Sequence, residues 1–498
     1  MADSEVTPAT ESKARELKQG LGLLSSTMLV IGSMIGSGIF IVSADIARTV
    51  GSPGYLLLVW ILAGIITLIA ALSYGELAGM MPHAGGQYVY LREAYNPLIG
   101  FLYGWTLFLV IQTGTIAAVA VAFAKFTAVF FPVFSEKNIL LQFYGLHISA
   151  AQILAILSIV ILTFINMRGL REGKIVQDIF TIAKVSALLG LILLGALAGR
   201  NSDALANNFS NFWHAGWTHV ADGKITSIEP LSGAMLLAAL GVAMVGSLFA
   251  SDAWNNITFT AGEVINPKRN VPLSLAIGTG VVTIIYVLTN VIYLFVLPVA
   301  GNPDMPDVIG RGIQFATSDR VATAAASVIL GAPAGYIMAA LIMISTFGCN
   351  NGLILAGARV YYAMARDGVF FKSTGSLNRK SVPGAALLFQ GIWASILCIS
   401  GTYSDLLDYI IFAVLIFYIL TIGGIFILRK KMPDVERPYK ALGYPVLPAL
   451  YIILAAAICI DLLIFKPKYT WPGVVIVLLG IPVFFLWKRF SEKTQTNM

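Results

Sequence analysis

The sequence predicts an all-α membrane protein with twelve transmembrane helices, on three observations. Only 11% of its 498 residues are charged while 58% are hydrophobic, against roughly 25% charged in an ordinary soluble chain. So few charges cannot cover a soluble surface of this size. The apolar residues lie in continuous runs of bilayer-spanning length, about 20 residues, not in the ~10-residue alternating segments of a membrane barrel. Finally, Lys and Arg favour alternate loops.

In chain order the runs lie at 21–44, 55–81, 97–131, 149–167, 175–199, 231–261, 272–297, 324–364, 383–401, 404–428, 445–465 and 470–490. The eighth is too long for one span and is expected to continue as helix into water. Residues 1–20 are polar and lack the apolar core of a signal peptide, so the first span acts as its own insertion signal. With both termini cytoplasmic, most of the 32 Lys and Arg fall on the inner side, as the positive-inside rule requires. The net charge of +7 is then a topology device and implies no nucleic-acid partner. The chain divides into a cytoplasmic tail (1–20), five spans (21–199), an outer loop (200–230), five more spans (231–428), the last two spans (429–490) and a second cytoplasmic tail (491–498).

Several classes are excluded. The longest loop, from Gly199 to Leu231, cannot hold an ATPase domain. The nearest approach to a P-loop, Gly169 to Lys174, is one residue short and lacks the hydroxyl. The four His lie in loops or span ends, so no metal or haem site is expected. Cys349, Cys398 and Cys459 sit in spans, where small packing residues are the ordinary case. No nucleophile stands beside a base, so an enzyme is not expected, and no cofactor is implied.

Two spans are irregular. The first contains Gly32-Ser33-Met34-Ile35-Gly36-Ser37-Gly38, readable as a close helix contact or as a break. The sixth carries Phe249-Ala250-Ser251-Asp252-Ala253-Trp254-Asn255-Asn256, placing a carboxylate and two amides mid-span, at a cost of several kcal/mol if they faced lipid. These are corresponding positions if spans 1–5 and 6–10 form two repeats, inverted because five is odd. Paired interruptions of this kind mark a transporter's midplane site. The freed N–H groups suit a carboxylate and the freed carbonyls suit an ammonium, which together describe an α-amino acid.

The run Ser33 to Phe40, Tyr74-Gly75-Glu76-Leu77, Gly85-Gly86-Gln87-Tyr88, Trp254-Asn255, the stretch Glu263 to Pro272, Arg359 and Glu436-Arg437-Pro438 resemble the L-type amino acid transporters of the amino acid–polyamine–organocation superfamily. The resemblance implies a LeuT-like 5+5 inverted repeat with broken helices 1 and 6. It implies a substrate carboxylate on Ser37 and Gly38, an amine on the carbonyls of Met34, Phe249 and Asp252, and a gate at Phe249. Ile35, Gly36, Ser251 and Asn255 complete the implied contacts, with Phe412, Ala413 and Val414 shaping the pocket. Lys184 takes the place of the sodium ion of related transporters. It also lies about ten residues into its span, near the midplane at ~1.5 Å per residue, and reads either as a brace for the first break or as a snorkelling Lys.

Asp252 has two readings, a cap on the broken helix or a partner for a cationic substrate. Ser251 and Ala253 depart from the aromatic and Gly usual around that acid in relatives. Glu76 reads as a partner for inner basic residues or as a proton relay. Asp461 reads as a packing residue, and Asn350 and Asn351 as path-lining or helix–helix bonding groups. The loop after span 3 has no Cys, whereas animal relatives use one there to bond a heavy chain. A stand-alone, prokaryotic-type inner-membrane member is therefore expected, with no disulfide-linked partner. The expected function is sodium-independent exchange or facilitated transport of L-amino acids, neutral ones first, by alternating access. A proton-coupled symporter of cationic amino acids or polyamines, or an amino acid-sensing receptor, are the alternatives.

Overall fold

The structure is a computed structural model that describes residues 16–143, 146–221, 223–400 and 403–496. Of the two expected tails, residues 1–15 and 497–498 lie outside the described residues. Eleven described helices are long and apolar enough to cross a membrane. Spans 1 to 5 are Leu23–Ile41, Pro53–Met80, Pro97–Thr127, Ala150–Arg168 and Leu170–Ala198. Spans 6 to 8 are Gly233–Ala250, Pro267–Val296 and Ala334–Arg366. Span 9 is the shorter apolar helix Gly384–Ser400, followed by span 10 (Tyr403–Lys431), span 11 (Val446–Phe465) and span 12 (Pro467–Thr496). This is the all-α membrane fold that the apolar runs predict.

Local chemistry sets the helix starts. Span 2 begins at Pro53, whose missing N–H costs nothing in a first turn, and the Ser52 hydroxyl accepts from the Tyr55 N–H. Asn96 and Pro97 open span 3 in the same way. Ser149 and Gln152 form a reciprocal capping box at span 4. Gly169, at φ 154°, separates spans 4 and 5 with a conformation that a side chain would resist.

Span 1 is the centre of the molecule. Its most apolar window is 83% buried, against 17% for span 12, and it packs on spans 5, 7 and 8. Two close approaches make this possible. A Cβ on Gly32 would fall 2.2 Å from the Thr181 hydroxyl of span 5, and one on Gly278 of span 7 would fall 2.6 Å from Val30.

The eighth run differs from its expectation. It is two helices, Val321–Leu330 and Ala334–Arg366, parted where Gly331 takes φ 73° just before Pro333. The second helix alone has 33 residues, about 50 Å at 1.5 Å per residue, so it does reach beyond a bilayer core of ~30 Å. Two antiparallel hairpins, Ile139–Phe143 with Leu146–Ser149 and Gly216–Ala221 with Lys224–Pro230, lie in loops outside the spans.

Candidate functional site

The glycine-rich run of span 1 is a break. Helix Leu23–Met34 stops at Ile35, which is extended (φ −77°, ψ 92°), and helix resumes at Gly38. Three glycines in seven residues weaken helix by about 1 kcal/mol each, but the segment is held by more than weakness. Each carbonyl from Gly32 to Gly36 has a side-chain donor. Lys184 Nζ of span 5 donates to the carbonyls of Gly32 (2.9 Å) and Ile35 (2.7 Å), and also to Ser345 (2.9 Å). The Ser345 hydroxyl lies 3.1 and 2.9 Å from the carbonyls of Ile35 and Gly36. The Cys349 thiol reaches Ser33 at 3.1 Å, and the Tyr286 hydroxyl reaches Met34 at 3.1 Å. Lys184 is 1% exposed. Its Nζ is buried among three carbonyl acceptors.

The sixth span breaks over Ser251–Asn255, and a short helix follows at Asn256–Phe259. Ala253 sits at φ 65°, the left-handed region that costs a residue with a Cβ about 1–2 kcal/mol. The departure from Gly noted in the sequence thus falls at the position where Gly would be unstrained. The Tyr286 hydroxyl also lies 3.0 Å from the Ala250 carbonyl, so one span-7 side chain touches both breaks. The breaks themselves are in contact, for a Cβ on Gly38 would fall 2.6 Å from that of Ala250.

The expected site residues Met34, Ile35, Gly36, Ser37, Gly38, Phe249, Ser251 and Asn255 are all buried around these two breaks. Asp252 is half-buried. Its Oδ1 accepts from the Tyr418 hydroxyl of span 10 at 2.6 Å, and the Ala253 N–H also donates to the carboxylate. Among the described residues no Lys, Arg or His lies within ion-pair distance of it. Two small cavities, of about 10 and 20 Å³ and so each about the size of one water molecule, meet at this carboxylate, sharing Asp252, Val414 and Tyr418 in their walls. Of the three expected pocket-shaping residues, Val414 lines both, while Phe412 and Ala413 are buried and line neither.

Below the second break the Asn255 amide donates to Gln87 (2.9 Å), and Gln87 donates to Thr421 of span 10 (3.0 Å). Further along, Glu263 and Arg359 form a bidentate ion pair, 2.8 Å at both contacts, with each side chain 1% exposed. The Glu263 carbonyl accepts from the N–H groups of Gly20 and Leu21, 2.8 and 3.0 Å away. One residue therefore ties together the start of span 1, the end of the sixth-span segment and span 8.

Several of the remaining polar residues have structural partners, whereas the Asn350 amide oxygen and one Asp461 carboxylate oxygen are buried without a hydrogen bond among the described residues. Glu76 accepts from Arg429 at 2.6 and 2.9 Å, lies 3.3 Å from Arg437 and accepts from the Ala441 N–H. Asn351 bonds Asn166, Gly173 and Gln177 between helices. Asp461 packs against Gly241 of span 6. At the helix Gln87–Ala94, Arg92 pairs with Asp367, and the Tyr88 phenol, donating to Asp367 at 2.7 Å, is pushed up by burial and by that carboxylate.

Sequence reasoning missed Tyr286, Ser345 and Tyr418 because each lies singly within an apolar run. It took Cys349 for packing alone. Their helical spacing toward the breaks was the only available signal.

A model of the family described as amino acid permease matches residues 21–487. The b(0,+)-type amino acid transporter 1 of Mus musculus is 29% identical over 494 residues, 98% of this chain and 92% of that protein. Large neutral amino acids transporter small subunit 2 is 31% identical in Homo sapiens, over 96% of this chain and 82% of that protein. In Mus musculus the same transporter is 30% identical over 99% and 86%. Two helix breaks in contact, a buried ammonium on the first of them and a family match across nearly the whole chain agree: this chain belongs to the amino acid permease family and, within it, to the L-type amino acid transporters.

Proposed function

We propose that the protein moves L-amino acids, neutral ones first, across a cell membrane by sodium-independent alternating access, as an exchanger or facilitator. The observation that carries this reading is the Lys184 ammonium. It fills, with a fixed charge, the coordination that a mobile cation would otherwise supply to the carbonyls of Gly32, Ile35 and Ser345. The substrate carboxylate would meet the Ser37 hydroxyl and the N–H groups that open the helix at Gly38. Its amine would meet the carbonyls of Met34, Phe249 and Asp252. Met34 and Phe249 each have one donor already, but a carbonyl has two lone pairs. Phe249, the next-to-last residue of the helix Gly233–Ala250, serves as the gate.

The organisation we infer is two inverted five-span repeats (21–199 and 231–428) in an inner membrane with both termini cytoplasmic. That orientation puts the basic residues around Glu76 and Glu436 inside. The three Cys are buried in spans, which supports a chain that works without a disulfide-linked partner. Cationic amino acids are the second substrate class, favoured by the cavity-lining carboxylate of Asp252. Counterflow in liposomes with a panel of amino acids, in sodium and in choline, tests the reading. Flux equal in both salts and lost in Lys184→Ala is expected. Strict sodium dependence, or full activity in Lys184→Ala, would overturn it.

A further inference from the structure

We infer that Tyr418 sets the balance between neutral and cationic substrates by holding one oxygen of Asp252. The inference rests on the proposed transport reading and adds to it a residue and a rule of selectivity.

The carboxylate is short of partners. It has no cation within ion-pair reach among the described residues, and its only side-chain donor there is the Tyr418 hydroxyl at 2.6 Å. An ionised carboxylate removed from water needs charged or donor partners, and the open ones lie in the two cavities whose walls it shares. A substrate side chain that widens either space on binding meets Asp252 and Tyr418 together.

The phenol is fixed in place. Tyr418 is 6% exposed. Its ring packs edge-on against Tyr74 at 5.7 Å and tilted against Trp254 at 5.1 Å, and those two rings pack on each other at 4.8 Å. The hydroxyl cannot swing away without disturbing this cluster. It therefore occupies Oδ1 in the presence of substrate as well.

The chemistry of the remaining oxygen follows. A neutral side chain asks nothing of Asp252. An ammonium is a compact point charge and can use one oxygen. A guanidinium gains most from two parallel bonds to both oxygens, and the phenol competes for one of those oxygens. Tyr418 thus disfavours guanidinium side chains most, ammonium side chains less and neutral ones not at all.

The test measures leucine counterflow in liposomes and its inhibition by lysine and by arginine, in wild type, Tyr418→Phe, Asp252→Asn and the double variant. Inhibition reads binding whether or not the inhibitor is itself transported. In Tyr418→Phe the arginine inhibition constant, relative to the leucine KM, should fall about tenfold. The lysine constant should fall less. Neither change should appear when Asp252→Asn is the background, as expected of a residue that acts through that carboxylate. Equal effects on lysine and arginine, or effects that persist without the carboxylate, would overturn the inference. If Tyr418→Phe proves inactive, Tyr418→Met, which also lacks the donor, is read in the same way. An arginine constant unchanged in both overturns the inference, while absence of leucine counterflow in wild type removes the transport reading beneath it.

Discussion

Replacing Glu263 by Gln tests whether the three-way tie at the end of the sixth-span segment holds the protein together. The perturbation is nearly isosteric but leaves the Arg359 guanidinium without a counter-charge where both side chains are 1% exposed. Breaking one side of a buried pair costs roughly 3–5 kcal/mol. The lower end applies here, because a Gln amide oxygen can still accept one of the two 2.8 Å bonds and Arg359 still reaches the Leu355 carbonyl at 2.5 Å. A cost of about 3 kcal/mol corresponds to a population shift on the order of 100-fold. The backbone bonds from Gly20 and Leu21 to the Glu263 carbonyl should loosen in turn. The assay is thermal unfolding in detergent together with uptake in liposomes. Glu263→Gln should melt lower and transport more slowly, and the paired change Glu263→Met with Arg359→Met should recover most of the stability, since an apolar pair of similar volume leaves no buried charge. A Glu263→Gln protein as stable as wild type would refute the reasoning, as would a paired variant no better than Arg359→Met alone.

Two further outcomes follow from backbone geometry. Gly38→Ala places a methyl carbon 2.6 Å from the Ala250 Cβ and 2.9 Å from its Cα; backbone cannot yield there, so uptake should drop at least tenfold, and an unchanged KM would count against contact between the breaks. Ala253→Gly removes a Cβ held at φ 65° and should stabilise by about 0.5–1 kcal/mol, read as a higher melting temperature; a lower one would mean that the methyl contributes more packing than its strain costs.

The spans were legible in the sequence because hydropathy acts over twenty residues at a time and averages out local detail. The breaks were legible for the opposite reason: glycines at 32, 36 and 38, and polar groups at 251, 252, 255 and 256, violate an apolar helix locally. The division at 331–333 was visible as Gly331 and Pro333, yet apolar flanks hid it. What could not be read was pairing across distance. Glu263 and Arg359 are 96 positions apart and Asp252 and Tyr418 are 166 apart, and no periodicity links residues on different helices. Tyr286 and Tyr418 count as apolar in any hydropathy sum, and their hydroxyls matter only once a neighbouring helix presents a carbonyl or a carboxylate. For Lys184 the mid-span position was legible but its acceptors were not.

The donors that hold the first break also fix when it can form. Lys184 follows Gly32 by 152 residues, Tyr286 follows Met34 by 252 and Cys349 follows Ser33 by 316. At roughly 5–20 residues per second of synthesis, the segment waits tens of seconds for its last partner. A span 1 that reaches lipid in that interval has unpaired carbonyls, which are costly there, unless it is continuous helix. The break is therefore not inserted as such. It is unwound late in biogenesis, when spans 5, 7 and 8 arrive to take over bonds the helix had been making with itself.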